Sequence, residues 1–210
     1  MNRVTAAFGY PFRHGSARAW LVGLPLVALL PLGFLLLLGY SVAAVRSSAA
    51  DPKAPPPAWW PLGRLIVDGF WVALLIAIVT LPFGLLAWWL EPALAREVGS
   101  VQDPLLRGGV AGTVAAAVAA LPWGLLLLIH APAATANFAR SGAARDLFDV
   151  PASLRVVRAA FPTWNLVVVA IVTAWALGVA GAGLACLGLI PGILYAILAS
   201  SHATSALVDA

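Results

Sequence analysis

Charge and cysteine are what this chain has least of: 10% of its 210 residues are charged, and Cys186 is its single cysteine. One cysteine excludes an internal disulfide framework and any multi-cysteine metal site. Set beside glycines in an apolar run, Cys186 reads as a small packing residue. No Gly-rich phosphate loop, zinc-type His/Glu spacing or nucleophile elbow occurs anywhere in the sequence. The eight acidic residues lie almost wholly between the hydrophobic blocks, which leaves no obvious carboxylate pair for acid–base work. Enzyme is therefore the least supported class. The net charge of +4 comes from basic residues scattered between apolar blocks rather than clustered with aromatics. That pattern argues against nucleic acid as a partner and for anionic lipid headgroups.

What the chain has in excess is apolar surface. At 62% hydrophobic it lies far from the soluble balance of about half apolar and a quarter charged. The apolar residues fall in five blocks, 19–42, 65–90, 108–131, 164–185 and 187–208, each near the roughly 20 residues that span hydrocarbon as a helix. The expected fold is a single polytopic, all-α membrane domain over 1–210. The stretch before the first block carries Arg3, Arg13 and Arg18 and is long for a signal n-region, so the first block is expected to be retained rather than cleaved.

The number of crossings turns on that first block. Five full spans would distribute the basic residues with no clear bias. If 19–42 instead re-enters or lies along the interface, Arg3, Arg13, Arg18, Arg46, Lys53, Arg64, Arg140, Arg145, Arg155 and Arg158 share one side, and only Arg96 and Arg107 face the other. The positive-inside rule favours this arrangement: four transmembrane helices plus a re-entrant or interfacial segment, in the inner (cytoplasmic) membrane, with the N-terminus and the 132–162 loop cytoplasmic. Pro25 and Pro31, beside Gly23 and Gly33, supply a reason for the first block to bend, because each proline removes a helix hydrogen bond. Five full spans, with a kinked first helix, is the alternative. The linker 47–60 carries Pro52, Pro55, Pro56 and Pro57 and is expected to be extended, with Trp59 and Trp60 marking the return to the interface.

Leu81-Pro82-Phe83-Gly84-Leu85-Leu86 and Leu121-Pro122-Trp123-Gly124-Leu125-Leu126 are near copies, and Ile190-Pro191-Gly192-Ile193 is a looser echo. Pro82, Pro122 and Pro191 are thus candidate kinks alongside Pro25 and Pro31. Broken helices can surround a transport site, but no intramembrane charge accompanies these, and Pro and Gly are common in membrane helices. Small residues recur every fourth position at Gly108, Gly112, Ala116, Ala120 and Gly124, and again at Ala170, Ala174, Gly178, Ala182 and Cys186. Such stripes allow close helix packing in lipid, so these two helices are expected to touch each other or a partner subunit. The fourth and fifth blocks meet with almost no polar loop and should form a tight hairpin.

Over 138–162, Leu147, Val150, Leu154, Val157 and Phe161 recur at helical spacing, with Arg145, Asp149, Arg155 and Arg158 between them. One or two interfacial helices follow, with Pro151 in a first turn and Arg140, Arg145, Arg155 and Arg158 as candidate contacts to lipid headgroups. His130 and His202 end the third and fifth blocks at similar depth in the four-crossing topology. Such a pair could ligate a haem or another tetrapyrrole, although histidines at helix ends more often meet headgroups or cap carbonyls. No other cofactor is indicated. Arg64 and Asp68 are spaced for an i,i+4 ion pair.

Tyr10-Pro11-Phe12-Arg13, Gly39-Tyr40-Ser41-Val42 through Arg46, Pro61 to Phe70, Asn137 to Gly142, Asp146-Leu147-Phe148-Asp149 and the final Ser201-His202 together resemble a family of uncharacterised prokaryotic membrane proteins, the domain of unknown function 4013. The likeness covers nearly the whole chain through short motifs, none of them catalytic. It implies a fold and topology and no activity. The chain departs from the family's pattern in the linker, usually acidic and aromatic but here rich in Ala and Pro, so no role for linker acids carries over. The expected function is a scaffold, accessory or assembly subunit that contacts lipid, other membrane subunits or a second copy. A small-solute or ion transporter or channel is the first alternative, and a His-ligated haem or pigment protein the second.

Overall fold

The computed structural model describes residues 2–31, 33–97, 103–183 and 188–209, and among them every regular element is helical. Cys186 lies outside the described residues. In chain order the α-helices are α1 (Asn2–Ala6), α2 (Ala17–Ala28), α3 (Phe34–Ala50), α4 (Leu62–Glu97), α5 (Pro104–Ser141), α6 (Arg145–Phe148), α7 (Val150–Ala159), α8 (Phe161–Ala180) and α9 (Leu189–Thr204), with single 3-10 turns at Tyr10–Phe12, Gly181–Gly183 and Ser205–Leu207. Among the described residues four helices are long and apolar enough to cross a bilayer: α4, α5, α8 and α9 with its 3-10 extension to Leu207.

The first hydrophobic block does not form such a helix. It breaks at Pro31 into α2 and α3, of 12 and 17 residues, which at about 1.5 Å per residue reach about 18 and 26 Å, short of the roughly 30 Å hydrocarbon core. Pro25 sits inside α2, whereas Pro31 lies in the turn between the two helices. Pro82 and Pro122 are both carried within continuous helix. Pro191 falls in the first turn of α9, where a proline has no intrahelical hydrogen bond to lose, so it starts that helix rather than kinking it.

Helix ends differ from the hydrophobic blocks for local reasons. α5 continues ten residues past Ala131 and stops at Ser141, where Gly142 adopts φ 72° and its N–H bonds back to the Phe138 carbonyl, a left-handed C-terminal cap that glycine allows without strain. Residues 138–141 thus belong to α5, and the expected interfacial region reduces to α6 and α7. Asp149 caps α7 by accepting from Ala152 N (2.9 Å), with Pro151 in the first turn. Linker 47–60 is irregular only from Asp51, because α3 runs to Ala50.

The chain divides into two compact units, 1–73 with 130–210, and 74–129. In the first, α9 packs against α8, α3 and α2, and the core gathers Tyr10, Ala19, Val27, Leu37, Tyr40, Trp59, Leu65, Leu194 and Leu198. Two backbone crossings depend on glycine. A Cβ on Gly39 or Gly69 would run into the carbonyl of Leu65 or Leu35 where α3 meets α4, and one on Gly178 or Gly192 would meet the other's carbonyl where α8 meets α9. In the second unit, α4 and α5 are tied by Trp123 Nε1, which donates to Thr80 Oγ1 (3.0 Å).

Candidate functional site

Polar groups buried among apolar helices must find partners inside the protein, and the first unit holds two clusters of them. The 3-10 turn at Tyr10–Phe12 lays Tyr10 flat on His202, centroids 4.5 Å apart, and sets the Arg13 guanidinium over the Tyr10 ring, 5.1 Å from its centroid. His202 is fully buried. Its Nδ1 pairs with Ser48 Oγ on α3 (2.9 Å) and its Nε2 faces Arg13 Nη2 (3.4 Å). Since a guanidinium can only donate, Nε2 is the acceptor and Nδ1–H donates to Ser48. Arg13 Nη1 also donates to the carbonyls of Pro52 and Ala54 (2.7 and 2.8 Å), which anchors the proline-rich linker. Burial pushes the Tyr10 phenol up from its ordinary value, with the nearby Ser48 hydroxyl and the charge of Arg13 opposing the shift.

Trp59 belongs to this interior, not to the interface where the sequence placed it with Trp60. It stacks on Tyr40 at 3.7 Å and donates from Nε1 to the Ala19 carbonyl, while Tyr40 OH donates to the Pro57 carbonyl. The linker prolines leave carbonyls without a helical or ladder partner, and the buried Tyr40 hydroxyl takes one of them. Trp60 is exposed, as are Trp88 and Trp89.

The second cluster centres on Asp68, which is buried near the start of α4. The expected Arg64 partner is there at 3.8 Å, but the shorter pair is with Arg46 of α3, whose Nη1 donates at 3.1 Å. Arg46 Nε also donates to the Ala139 carbonyl of α5 (3.1 Å). Arg46 and Asp68 together thereby link α3, α4 and α5. Sequence spacing exposes only the i,i+4 partner, and Arg46 lies 22 residues away.

The remaining sequence candidates separate. His130 Nε2 donates to the Leu147 carbonyl (2.8 Å) and its Nδ1 is buried without a partner, while both ring nitrogens of His202 are already engaged, so an axial metal bond would have to displace one of those contacts. Of the second small-residue stripe, Ala170, Ala174 and Gly178 are buried, and Gly178 lies against α9 rather than against α5. On the first stripe nothing lies within 4 Å of a Cβ built on Gly108, Gly112 or Gly124, and Ala116 and Ala120 are exposed. The buried positions of that part of α5 are Ala111, Ala115 and Ala119, offset by one residue from the stripe. Arg140 donates to Asn137 Oδ1 (3.1 Å), Arg145 pairs loosely with Asp146 (3.7 Å), and Arg155 and Arg158 lie one turn apart on exposed positions of α7. The apolar stripe of 147–161 divides: Leu147 and Val157 face inward, whereas Val150, Leu154 and Phe161 are exposed. A groove of about 1010 Å³, lined by Phe12, Trp20, Leu177 and Tyr195 among others, carries no charged side chain.

Four bilayer-length helices with short apolar helices beside them define a multi-pass helical membrane protein. The protein of unknown function family DUF4013 matches residues 22–189, and the chain belongs to that family. No curated protein and no solved structure matches it.

Proposed function

We propose that this protein is a non-catalytic membrane scaffold, accessory or assembly subunit, set in the inner (cytoplasmic) membrane with its N-terminus and the 132–162 region on the cytoplasmic side. The observation that carries the reading is the stripe Gly108, Gly112, Ala116, Ala120 and Gly124, which runs along a bilayer-length helix with nothing packed on its glycines. Small residues in line let a second backbone approach closely, the main source of helix association in lipid. Here that close approach is left to a partner, either another membrane subunit or a second copy. The buried ionisable groups fit the same view. Asp68 and His202 are held by protein partners on several helices and act as clamps, whereas a transport path needs such groups facing water. The orientation rests on the basic residues of the tail, the linker and the 132–162 region falling on one side once the first block does not cross.

Cysteine crosslinking in native membranes tests the reading. With Cys186 replaced by Ala, Ala116→Cys is expected to give a discrete crosslinked species whose second chain mass spectrometry identifies, and the exposed but off-stripe Val114→Cys to give far less. An Ala116→Cys protein that stays monomeric under the same oxidation would overturn the proposal.

A further inference from the structure

Arg140, at the end of α5, and Arg155, on α7, line one cleft of about 270 Å³ together with Asn137 and Asp146. They are 15 residues apart in sequence, and the Gly142 turn with the short α6 folds α7 back to bring them together. Two guanidiniums line the cleft with one carboxylate, Asp146, which also pairs loosely with Arg145, so the cleft is net cationic and suits a phosphodiester. Asn137 is more than nine-tenths buried and holds Arg140 through its Oδ1, so that guanidinium is preset. Arg155 has no hydrogen-bond or ion-pair partner among the described residues. It also lines an adjoining cavity of about 530 Å³ with Pro151, Leu154 and Arg158, and Val150 at the start of α7 and Phe161 just past its end are exposed. A polar, cationic compartment therefore borders an apolar one, with Arg155 between them, on an amphipathic helix that leads directly into the α8 span.

We propose that this bipartite site binds an anionic glycerophospholipid: the phosphodiester lies between Arg140 and Arg155, a headgroup hydroxyl donates to Asp146, and an acyl chain lies along Leu154. Arginine suits the role because its planar donors match phosphate oxygens in pairs. The carboxylate favours a headgroup that carries hydroxyl donors, so phosphatidylglycerol is the fitting chemistry, ahead of phosphatidic acid. The site depends on the membrane placement of the chain and deepens the lipid-contact part of the proposed function, but it needs neither a protein partner nor the α5 stripe.

The test is native mass spectrometry of the full chain released from nanodiscs that contain phosphatidylcholine with a minor fraction of phosphatidylglycerol. The wild-type protein is expected to retain one phosphatidylglycerol in preference to phosphatidylcholine. Arg155→Gln, at an exposed position, should lower that retention about tenfold with the helical circular dichroism unchanged, and Arg140→Gln at least as much. Arg96→Gln, on α4 and not among the residues that line the cleft, should leave it unchanged. Millimolar inorganic phosphate should not displace the lipid, because it lacks the acyl chain. Equal retention by wild type and Arg155→Gln, equal loss with Arg96→Gln, or displacement by phosphate alone would each overturn the proposal. The Ala116 crosslink is independent of this cleft, so failure of the lipid site and failure of the subunit reading are separable.

Discussion

Half of the most apolar stretch of α9 is buried inside the protein, against about a tenth of the corresponding stretch in α4 and in α5. The contrast follows what each helix carries. α9 brings His202 and the core leucines Leu194 and Leu198 into contact with Tyr10, Ser48 and the α2 and α3 helices, and polar groups at that depth require protein partners. The unit 74–129 has its two helices joined by a side-chain hydrogen bond, Trp123 to Thr80. Its leucines and valines gain nothing from burial in protein when lipid is equally apolar. Specificity of fold therefore concentrates where polar groups and glycine crossings occur, and the hairpin is left solvated by lipid and open to association.

Glycine substitutions should break this comparison most sharply. Gly69→Leu drives a side chain into the Leu35 carbonyl and is expected to destabilise by about 4 kcal/mol or more, the range of severe overpacking at an unyielding site. Its measure is loss of the monodisperse peak and a lowered thermal unfolding midpoint in detergent. A Cβ on Gly112 meets nothing within 4 Å, and Gly112→Leu should leave the isolated chain within about 0.5 kcal/mol of wild type. If the two variants lose comparable stability, the hairpin is packed as tightly as the α3–α4 crossing and the contrast fails.

A smaller effect is expected at the ion-pair cluster. Asp68→Asn removes the carboxylate that Arg46 donates to from within the protein, which should cost about 3 kcal/mol because a largely desolvated guanidinium is left unmatched. Arg64→Gln removes the more exposed partner at 3.8 Å and should cost less than about 1 kcal/mol. Reversible unfolding of the two variants in the same detergent gives the ratio. Equal losses would show that the pair visible in the sequence, and not the one made by folding, holds the three helices.

That last distinction marks how far the sequence could be read. The four long helices and the broken first block followed from apolar run length, the prolines and the distribution of basic residues, all of which are local or additive properties. Pro151 announced the start of α7 for the same reason, whereas Asp149, which caps that helix, was legible only as a polar position. The partners of buried polar groups were not legible, since Arg46–Asp68, Tyr10–His202 and Tyr40–Trp59 join residues that only packing brings together. Trp59 shows the cost of a compositional rule: adjacent tryptophans read as one interfacial belt, yet the chain turns one of them inward to stack on Tyr40. The offset on α5 has a similar origin. Counting small residues found a stripe at 108–124, while burial selects Ala111, Ala115 and Ala119, a face that the run of alanines makes indistinguishable from its neighbour by composition.

The smallest expected effect is also the one that bears most directly on the hairpin. Thr80→Val preserves shape and removes the acceptor of Trp123 Nε1, and the indole can then turn toward another acceptor at low cost because its position is only half-buried. Side-chain hydrogen bonds between helices in lipid average about 0.6 kcal/mol, so the unfolding midpoint should fall by little more than the precision of a careful measurement. A loss several times larger would mean that the hairpin, like the α9 core, depends on its polar contact for its geometry. The open α5 stripe would then be displayed on a fixed platform rather than on a helix pair free to adjust.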